Sequence, residues 1–574
     1  MESRIFQQSP DPQVSAPPAG HLPAGGKPSP GGRRRATGRH QEFLLILVLS
    51  VVLQLMAVLV FRPGGYLGVL GDFADYRLML SFTNQGYLPL VDYWMEYPPV
   101  FPWLMLGLYR LSLLIPAWTT PGTWFYLLLS LVLVAANAGS LILFYGIARR
   151  LWGQRRAVYL SWIYALLFIP LLSVFVGFDG LALLFLLWAV LLTLDRRPIG
   201  SGATAGLGFM IKLMPIAAVP AALQHMPRAG QRLKHLLAAG LTALLVSLPF
   251  AITAPQFLFQ SLISPVKRST WESVWALIDG YYSYGVAGGW DRFDPAMAGA
   301  AQHPTRLPWL AITIGFGFFY LWLWTRRIDW QQPRRVVAFT ALTQNLLTLY
   351  FKGYSPQFLV MLLPFVLLLV PGWRGVLYVL LLSAINLVEH PVYFLLLPDE
   401  HWLLAGTVLL RTLILGVLSL EYAAQVFGWR IGRRWWRRTA LGVLVVVVIA
   451  GLVGGVAGFR AYWATRYETD PHHDAMQVLL DQATAGSVAV VDDQEVYEHV
   501  YPYLRAHLEV RAVEVRSYLP PWEPRLAEAA DEAEGELWIY AAPDSPLHEW
   551  AAGRFQPLAR YEFDGRLLTR WDGP

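Results

Sequence analysis

No cysteine occurs anywhere in the 574 residues. That excludes disulfide frameworks, thiolate-ligated metals and thiol nucleophiles. Charge is scarce as well: Asp, Glu, Lys and Arg together make up 15% of the chain, against roughly 25% in soluble domains, which excludes an ordinary soluble enzyme. No small-residue cleavage site follows the first apolar run, 43–61, and that run is too long for a signal-peptide core. No convincing internal repeat is found. What the chain has instead is apolar bulk, 55% of all residues, with a mean hydropathy of +0.42. Its 24 Trp, 27 Tyr and 29 Phe suit a membrane protein, whose aromatic residues gather at the two interfaces.

The net charge of +6 hides a split. From Phe459 onward there are 10 Arg, no Lys and 21 acidic residues, a net −11; the part before it holds 35 basic and 18 acidic residues, a net +17. A basic, apolar body therefore carries an acidic, soluble-looking tail. Residues 1–40, rich in Pro, Gly and Ser and closing near Arg33, Arg34 and Arg35, cannot bury a core and read as a disordered cytoplasmic N-terminus. Residues 41–458 read as the membrane domain and 459–574 as an external domain.

Crossing a bilayer takes roughly 20 apolar residues. The candidate spans are 43–61, 124–147, 157–176, 180–194, 235–253, 307–325, 336–351, 357–371, 375–397, 403–427 and 439–458. Cationic loops stay in the cytoplasm, so Arg149–Arg156, Arg196–Arg197, Arg228–Lys234, Arg326–Arg335 and Arg430–Arg438 belong inside. That alternation holds only if 98–117 lies along the outer surface. It also requires 201–224, basic on both flanks, to dip in and return as a hairpin with Lys212 and Pro215 near its tip. The expected fold is thus an all-α polytopic membrane protein with about eleven spans, a re-entrant hairpin and a juxtamembrane helix. The N-terminus is inside and the tail outside. The tail alternates helix and strand patterns and ends on two strands flanking Asp564–Gly565, a hairpin turn, so it reads as a small α/β domain. It contains no nucleotide-binding glycine motif, and its charge disfavours anionic lipid. His472, His473 and Asp474 read as a polar linker into it, and Gly451–Gly458 as a site of close helix packing.

This orientation puts most of the reactive chemistry outside. The loop 62–123 concentrates Asp72, Asp75, Asp92 and Glu96 among Tyr76, Tyr87, Tyr93, Trp94 and Tyr97. Carboxylates beside aromatic rings at a membrane surface suit a sugar; the bland alternative is a solvated loop with capping acids. Asp72 and Asp75 are three apart, which on a helix puts them on one face. Nucleotide sugars and ATP are absent outside the membrane, so a transferase there needs a pre-activated donor that arrives through the bilayer, such as a polyprenyl-phosphate sugar. A carboxylate would then deprotonate the acceptor hydroxyl, and cations would stabilise the departing phosphate. The scheme requires no cofactor and leaves a divalent metal open. It involves no nucleic acid.

Four groups of residues, in order, carry a family resemblance. They are Asp72-x-x-x-Tyr76 with Gly86, Asp92 and Glu96-Tyr97-Pro98-Pro99; Phe178-Asp179; Ala205-Gly206-Leu207-Gly208 with Lys212 and Pro215; and Arg268 with Glu272-Ser273, followed by Ser355-Pro356-Gln357-Phe358. Over roughly 40–370 the chain resembles GT-C-type glycosyltransferases, and within them the bacterial polyprenyl-phosphate-mannose-dependent transferases of glycosyltransferase family 87. The resemblance implies a multi-pass protein of the bacterial cytoplasmic membrane that moves a hexose, mannose above all, to an unknown glycan, lipid or protein acceptor with inversion. It implies a first-loop Asp as base and assigns that role to Asp72, with Asp75 the neighbouring candidate. It also implies a juxtamembrane helix opening at Pro98–Pro99.

The expected substrate contacts are Tyr76, Asp92, Glu96, Tyr97, Asp179, Lys212, Arg268, Glu272, Lys352, Gln357 and His390. Several have plainer alternatives. Lys212 either meets the donor phosphate or forms a structural ion pair. Asp179 either meets sugar or caps a helix. Arg268 and Glu272, spaced i,i+4, either bind phosphate or form a salt bridge. Lys352 at the outer boundary is explained by snorkelling alone. Glu389 and His390 could line the cavity, and Arg411 could pair with Glu389 or a lipid phosphate. The competing functions are a secondary transporter or lipid flippase, disfavoured because the acids cluster outside the bilayer, and a non-catalytic surface assembly protein.

Overall fold

The computed structural model describes residues 40–61, 72–115, 122–282, 287–299, 303, 305–429, 433–468, 470–515 and 521–572. The N-terminal tail with Arg33–Arg35, the start of the first loop at 62–71, and Arg430 lie outside them. The chain divides into two compact units. One runs to Pro391 and includes Thr407–Arg438; the other comprises Val392–Gly406 and Thr439–Pro574.

The first unit is helical. Among the described residues, five helices of the chain are long and apolar enough to cross a membrane: Gln41–Val60, Thr123–Trp152, Ala229–Thr253, Trp373–Leu396 and His401–Phe427. The expected span 157–176 is instead two helices, Gln154–Ala165 and Phe168–Val176, meeting at 48°. Pro170 falls in the first turn of the second, where its missing N–H is tolerated but could not have continued a helix from before. Asp179–Leu194, Trp309–Trp324 and Pro356–Leu369 are shorter apolar helices of 10–17 residues. The eleven expected segments are thus all helical, but not all are full-length spans. The last, 439–458, lies within one 36-residue helix, Arg433–Glu468, so the boundary expected at 458/459 falls inside continuous helix.

Burial sorts these helices into inner and outer. Every residue of Leu359–Leu369 is buried, as an all-apolar helix must be when protein surrounds it. Ala229–Thr253 buries only His235 and Phe250, and Trp309–Trp324 only Leu323. Leu241, Leu245, Ile252, Leu310 and Phe318 stand more than half exposed. Soluble monomers rarely present apolar surface on that scale, so these faces meet lipid. The chain is a multi-pass membrane protein.

Two segments depart from simple crossing, as charge alternation requires. Val100–Ser112 is amphipathic: Phe101, Met105 and Tyr109, spaced i,i+4, are buried, and Trp103 and Leu111 are exposed. Its first N–H, on Val100, donates to Met210 O at 3.1 Å. Met210 belongs to the second segment, where helix Pro198–Phe209 breaks and the chain resumes as Met214–Ala218 and Val219–His225. Lys212 lies in that break. Gly208 makes the fold-back possible, because a Cβ there would come within 2.7 Å of Pro215 Cβ and 2.8 Å of Phe185 Cβ.

The second unit ends in a five-stranded sheet ordered β2-β1-β3-β5-β4: β1 is Val488–Val491, β2 Glu509–Ala512, β3 Leu537–Ala541, β4 Pro557–Phe563 and β5 Arg566–Trp571. β1 pairs in parallel with β2 and β3, and β5 is antiparallel to β3 and β4. The parallel strands are crossed by helices on opposite faces, giving two cores. Ala489, Val491, Trp538 and Tyr540 face Met476, Leu479, Val500 and Leu504; Val488, Val490 and Ile539 face Leu526, Ala530 and Leu547. Asp564 and Gly565 turn the last hairpin with φ of 30° and 79°, the pair of positive values a tight hairpin needs. His472 is no linker: its Nδ1 is 2.9 Å from the Tyr540 hydroxyl. In the same unit, a Cβ on Gly458 would come within 2.5 Å of the Trp402 ring, the close packing expected of that glycine.

Candidate active site

Asp72 occupies the N-cap position of helix Phe73–Ser81 but makes no capping bond with its side chain. The carboxylate turns inward instead. Tyr76, one helical turn on, donates its hydroxyl to Asp72 Oδ2 at 3.0 Å, and Tyr97 Oη lies 3.4 Å from the Tyr76 hydroxyl. From the other end of the unit, Gln357 Nε2 donates to the same Oδ2 at 3.3 Å. The Asp72 backbone N–H donates to Val176 O, beside Gly177. A Cβ on Gly177 would sit 1.4 Å from Gln357 Oε1, so only glycine leaves Gln357 room to reach Asp72. Burial pushes the Asp72 carboxyl above its ordinary pKa; the Tyr76 and Gln357 hydrogen bonds and the Lys212 charge pull the other way without cancelling it.

The cation is held beside this cluster. Lys212 Nζ donates to both carboxylate oxygens of Asp179, at 2.7 and 2.8 Å. It sits 4.8 Å from the Phe178 ring centre and 4.4 Å from that of Phe358. Asp179 is wholly buried. Phe178 stacks on Phe101 at 3.5 Å, which ties the helix carrying Asp179 to the juxtamembrane helix.

Glu96 is anchored differently. Arg292 grips it with two parallel bonds of 2.5 and 2.7 Å and lies 4.9 Å from the Trp94 ring centre, while Trp94 N donates to Arg292 O at 3.0 Å. Burial would raise the Glu96 pKa, but Arg292 outweighs it and holds the carboxyl below its usual value. This fork–fork pair clamps the segment carrying Glu96 onto the one carrying Arg292.

A second buried ionic group lies alongside. Glu272 has a φ of +46°, rare for a side-chain-bearing residue and a sign of imposed strain. Its carboxyl is desolvated and faces Glu389, and both effects push its pKa well above the usual carboxylate range against Arg411 and Arg268. Arg411 pairs with Glu389, donates to Glu272 O at 2.6 Å and covers the Tyr354 ring at 3.6 Å. Tyr354 in turn contacts Phe358, so the two groups are continuous.

Of the residues singled out in the sequence, Asp72, Tyr76, Tyr97, Gln357, Lys212 and Asp179 meet around one carboxylate, with Glu96 and Glu272 flanking. Others lie outside that cluster, although the Arg268 charge reaches Glu96, Tyr97 and Glu272. Asp75 is exposed, though its charge reaches Asp72 and Arg292. Asp92 closes a local turn by accepting from Leu88 N at 2.7 Å. Lys352 donates to Val266 O at 2.8 Å. His390 marks the kink after Trp373–Leu387. Arg268 and Glu272 are not one turn apart on a helix: the helix ends at Lys267, and Arg268 lies over the Trp271 ring at 4.3 Å. The sequence reading missed Arg292, whose neighbours Asp291 and Asp294 make its charge look locally balanced, and Tyr354. Among the described residues no three His, Asp or Glu side chains gather as a metal site.

No protein-family model matches the chain, and no curated protein does. Solved structures give distant likenesses. ArnT from Cupriavidus metallidurans, bound to undecaprenyl phosphate, aligns over 92% of this chain and 98% of its own, at 15% identity and a TM-score of 0.39. The oligosaccharyltransferase AglB from Archaeoglobus fulgidus, in complex with an inhibitory peptide and a dolichol-phosphate, aligns over 92% of this chain and 74% of its own, at 11% identity and a TM-score of 0.33. The apo form of the Archaeoglobus fulgidus enzyme gives 89% and 71% coverage, 11% identity and a TM-score of 0.33. Scores this low establish no common fold, and the site is interpreted from its own geometry.

Proposed function

We propose that this chain is a GT-C-type glycosyltransferase that moves a hexose, mannose in the first instance, from a polyprenyl-phosphate donor to an acceptor hydroxyl. The reaction runs at the outer face of the bacterial cytoplasmic membrane. The observation that carries the proposal is the meeting of Asp72, Tyr76, Tyr97, Gln357 and the Lys212–Asp179 pair, from segments up to 285 residues apart, around a carboxylate with a raised pKa and one oxygen that no described residue engages. Asp72 accepts hydrogen bonds from the neutral Tyr76 and Gln357, and burial outweighs these and the Lys212 charge to leave it more basic than usual, as a general base operating near neutral pH needs.

In the reaction, Asp72 takes the proton of the acceptor hydroxyl as its oxygen attacks the anomeric carbon. The bond from that carbon to the donor phosphate oxygen breaks, its electron pair leaves with the phosphate, and the configuration inverts. An ammonium has three donors, and Asp179 takes two of those on Lys212; the third is left for a phosphate oxygen. Arg268, whose charge is felt at Glu96, Tyr97 and Glu272, supplies a second cation for the leaving group. Tyr97, half-buried, offers its ring edge and hydroxyl to the sugar, while buried Tyr76 holds Asp72.

The test is the full chain in liposomes with a polyprenyl-phosphate sugar labelled in the sugar. Cleavage of the sugar–phosphate bond with label appearing on an acceptor or on water is expected. Movement of intact donor between leaflets without cleavage would replace the proposal with the flippase alternative.

A further inference from the structure

The C-terminal domain contains a groove of about 780 Å³, within the size range of ligand sites and built entirely from its own residues. One wall is the helix Gln494–Leu504 and the residue just after it, where Tyr497, Tyr501 and Arg505 recur every four positions and so form one stripe. The two tyrosine rings stack on one another, 5.0 Å between their centres, and this holds the outer ring in place. Tyr501 is 37% exposed, whereas Tyr497 packs partly on the core beneath. The opposite wall is β2, where Arg511 is fixed between Glu509 and Glu532 at 2.7 and 2.6 Å.

These parts select a ligand class. An exposed tyrosine ring held by a second ring stacked on it takes the C–H face of a sugar ring, and a guanidinium already oriented between two carboxylates offers donors and acceptors for vicinal hydroxyls. The charged lining, two arginines against three glutamates with Glu534, has no positive excess to attract phosphate or nucleic acid. A peptide added to β2 is the competing occupant. That edge strand has only four residues, however, and carries Glu509 and Arg511, features that discourage strand addition. We infer that this groove binds an uncharged glycan and is where the acceptor is recognised. The inference rests on the glycosyl transfer proposed above and names the chemical class of its acceptor.

The full chain in lipid nanodiscs is applied to an array of uncharged and acidic oligosaccharides and of extended peptides, and the affinity for the glycan bound is then measured. The wild type is expected to bind an uncharged glycan. Tyr501→Ala should weaken binding by about tenfold, the usual cost of truncating an aromatic anchor. Tyr501→Phe, which keeps the ring, should stay within about threefold of wild type. Binding of acidic glycans or peptides alone, no glycan binding, or unchanged binding by Tyr501→Ala overturns the inference. Should glycan binding behave as expected while the chain transfers no sugar, the transferase proposal fails and the groove stands.

Discussion

At the scale of single residues, the site depends on exclusions as much as on contacts. Gly177→Ala adds one methyl group, but that methyl takes the place of Gln357 Oε1. Gln357 must swing away from Asp72, and turnover is expected to fall about ten- to a hundredfold, as small misplacements at reacting groups do. Gln357→Ala should cost about as much, and the double variant no more than either, because both remove the same bond. Additive losses measured in kcat would show that Gly177 serves something else. Tyr76→Phe tests the electrostatics. The Asp72 base works when deprotonated, so activity is present above its folded pKa and lost as pH falls through it. Burial raises that pKa and the Tyr76 hydroxyl lowers it. Removing the hydroxyl should therefore move the acid limb of the kcat/KM profile to higher pH; an unmoved limb would place the titrating group elsewhere. Lys212→Met strands the fully buried Asp179, which should cost about 3–5 kcal/mol in unfolding measurements. Lys212→Met/Asp179→Asn should recover most of that stability but not the activity. Recovery of both would reduce the pair to a structural role.

At the scale of elements, much was legible. The alternation of helix and strand in the tail and its closing hairpin are found as expected, because alternating apolar patterns and the Asp564–Gly565 turn are local signals. The surface helix and the hairpin followed from cationic loops, and Val100 N–H bonding to Met210 O joins them. Helix lengths were less legible: apolar runs mark what is buried, in lipid or protein alike, so Leu359–Leu369 reads like a span while being enclosed on every side. Within the site, residue types were legible and partners mostly were not, the Arg411–Glu389 pair excepted. Lys212 finds Asp179 from 33 residues away and Arg292 finds Glu96 from 196. Where spacing did suggest a pair, Arg268 and Glu272, the helix had already ended.

For the whole molecule, the helices Thr123–Trp152 and Gln154–Ala165 meet at Gly153, so Arg149, Arg150, Arg155 and Arg156 gather at one turn, which the charge rule puts in the cytoplasm. The cysteine-free chain allows a direct check. Gly153 itself has a φ of +78°, which a cysteine would strain, so exposed Arg155 is the better site. In sealed right-side-out vesicles, Arg155→Cys should resist an impermeant thiol reagent and Gln85→Cys should react; the reverse would invert the topology. The central claim is that a carboxylate at the outer face activates an acceptor toward a lipid-linked sugar, and Asp72→Asn tests it most directly. With the polyprenyl-phosphate sugar as donor, the variant should fold and bind donor as the wild type does while transfer falls by about 10²–10⁴-fold, the usual contribution of a general base. Transfer at the wild-type rate would contradict the account.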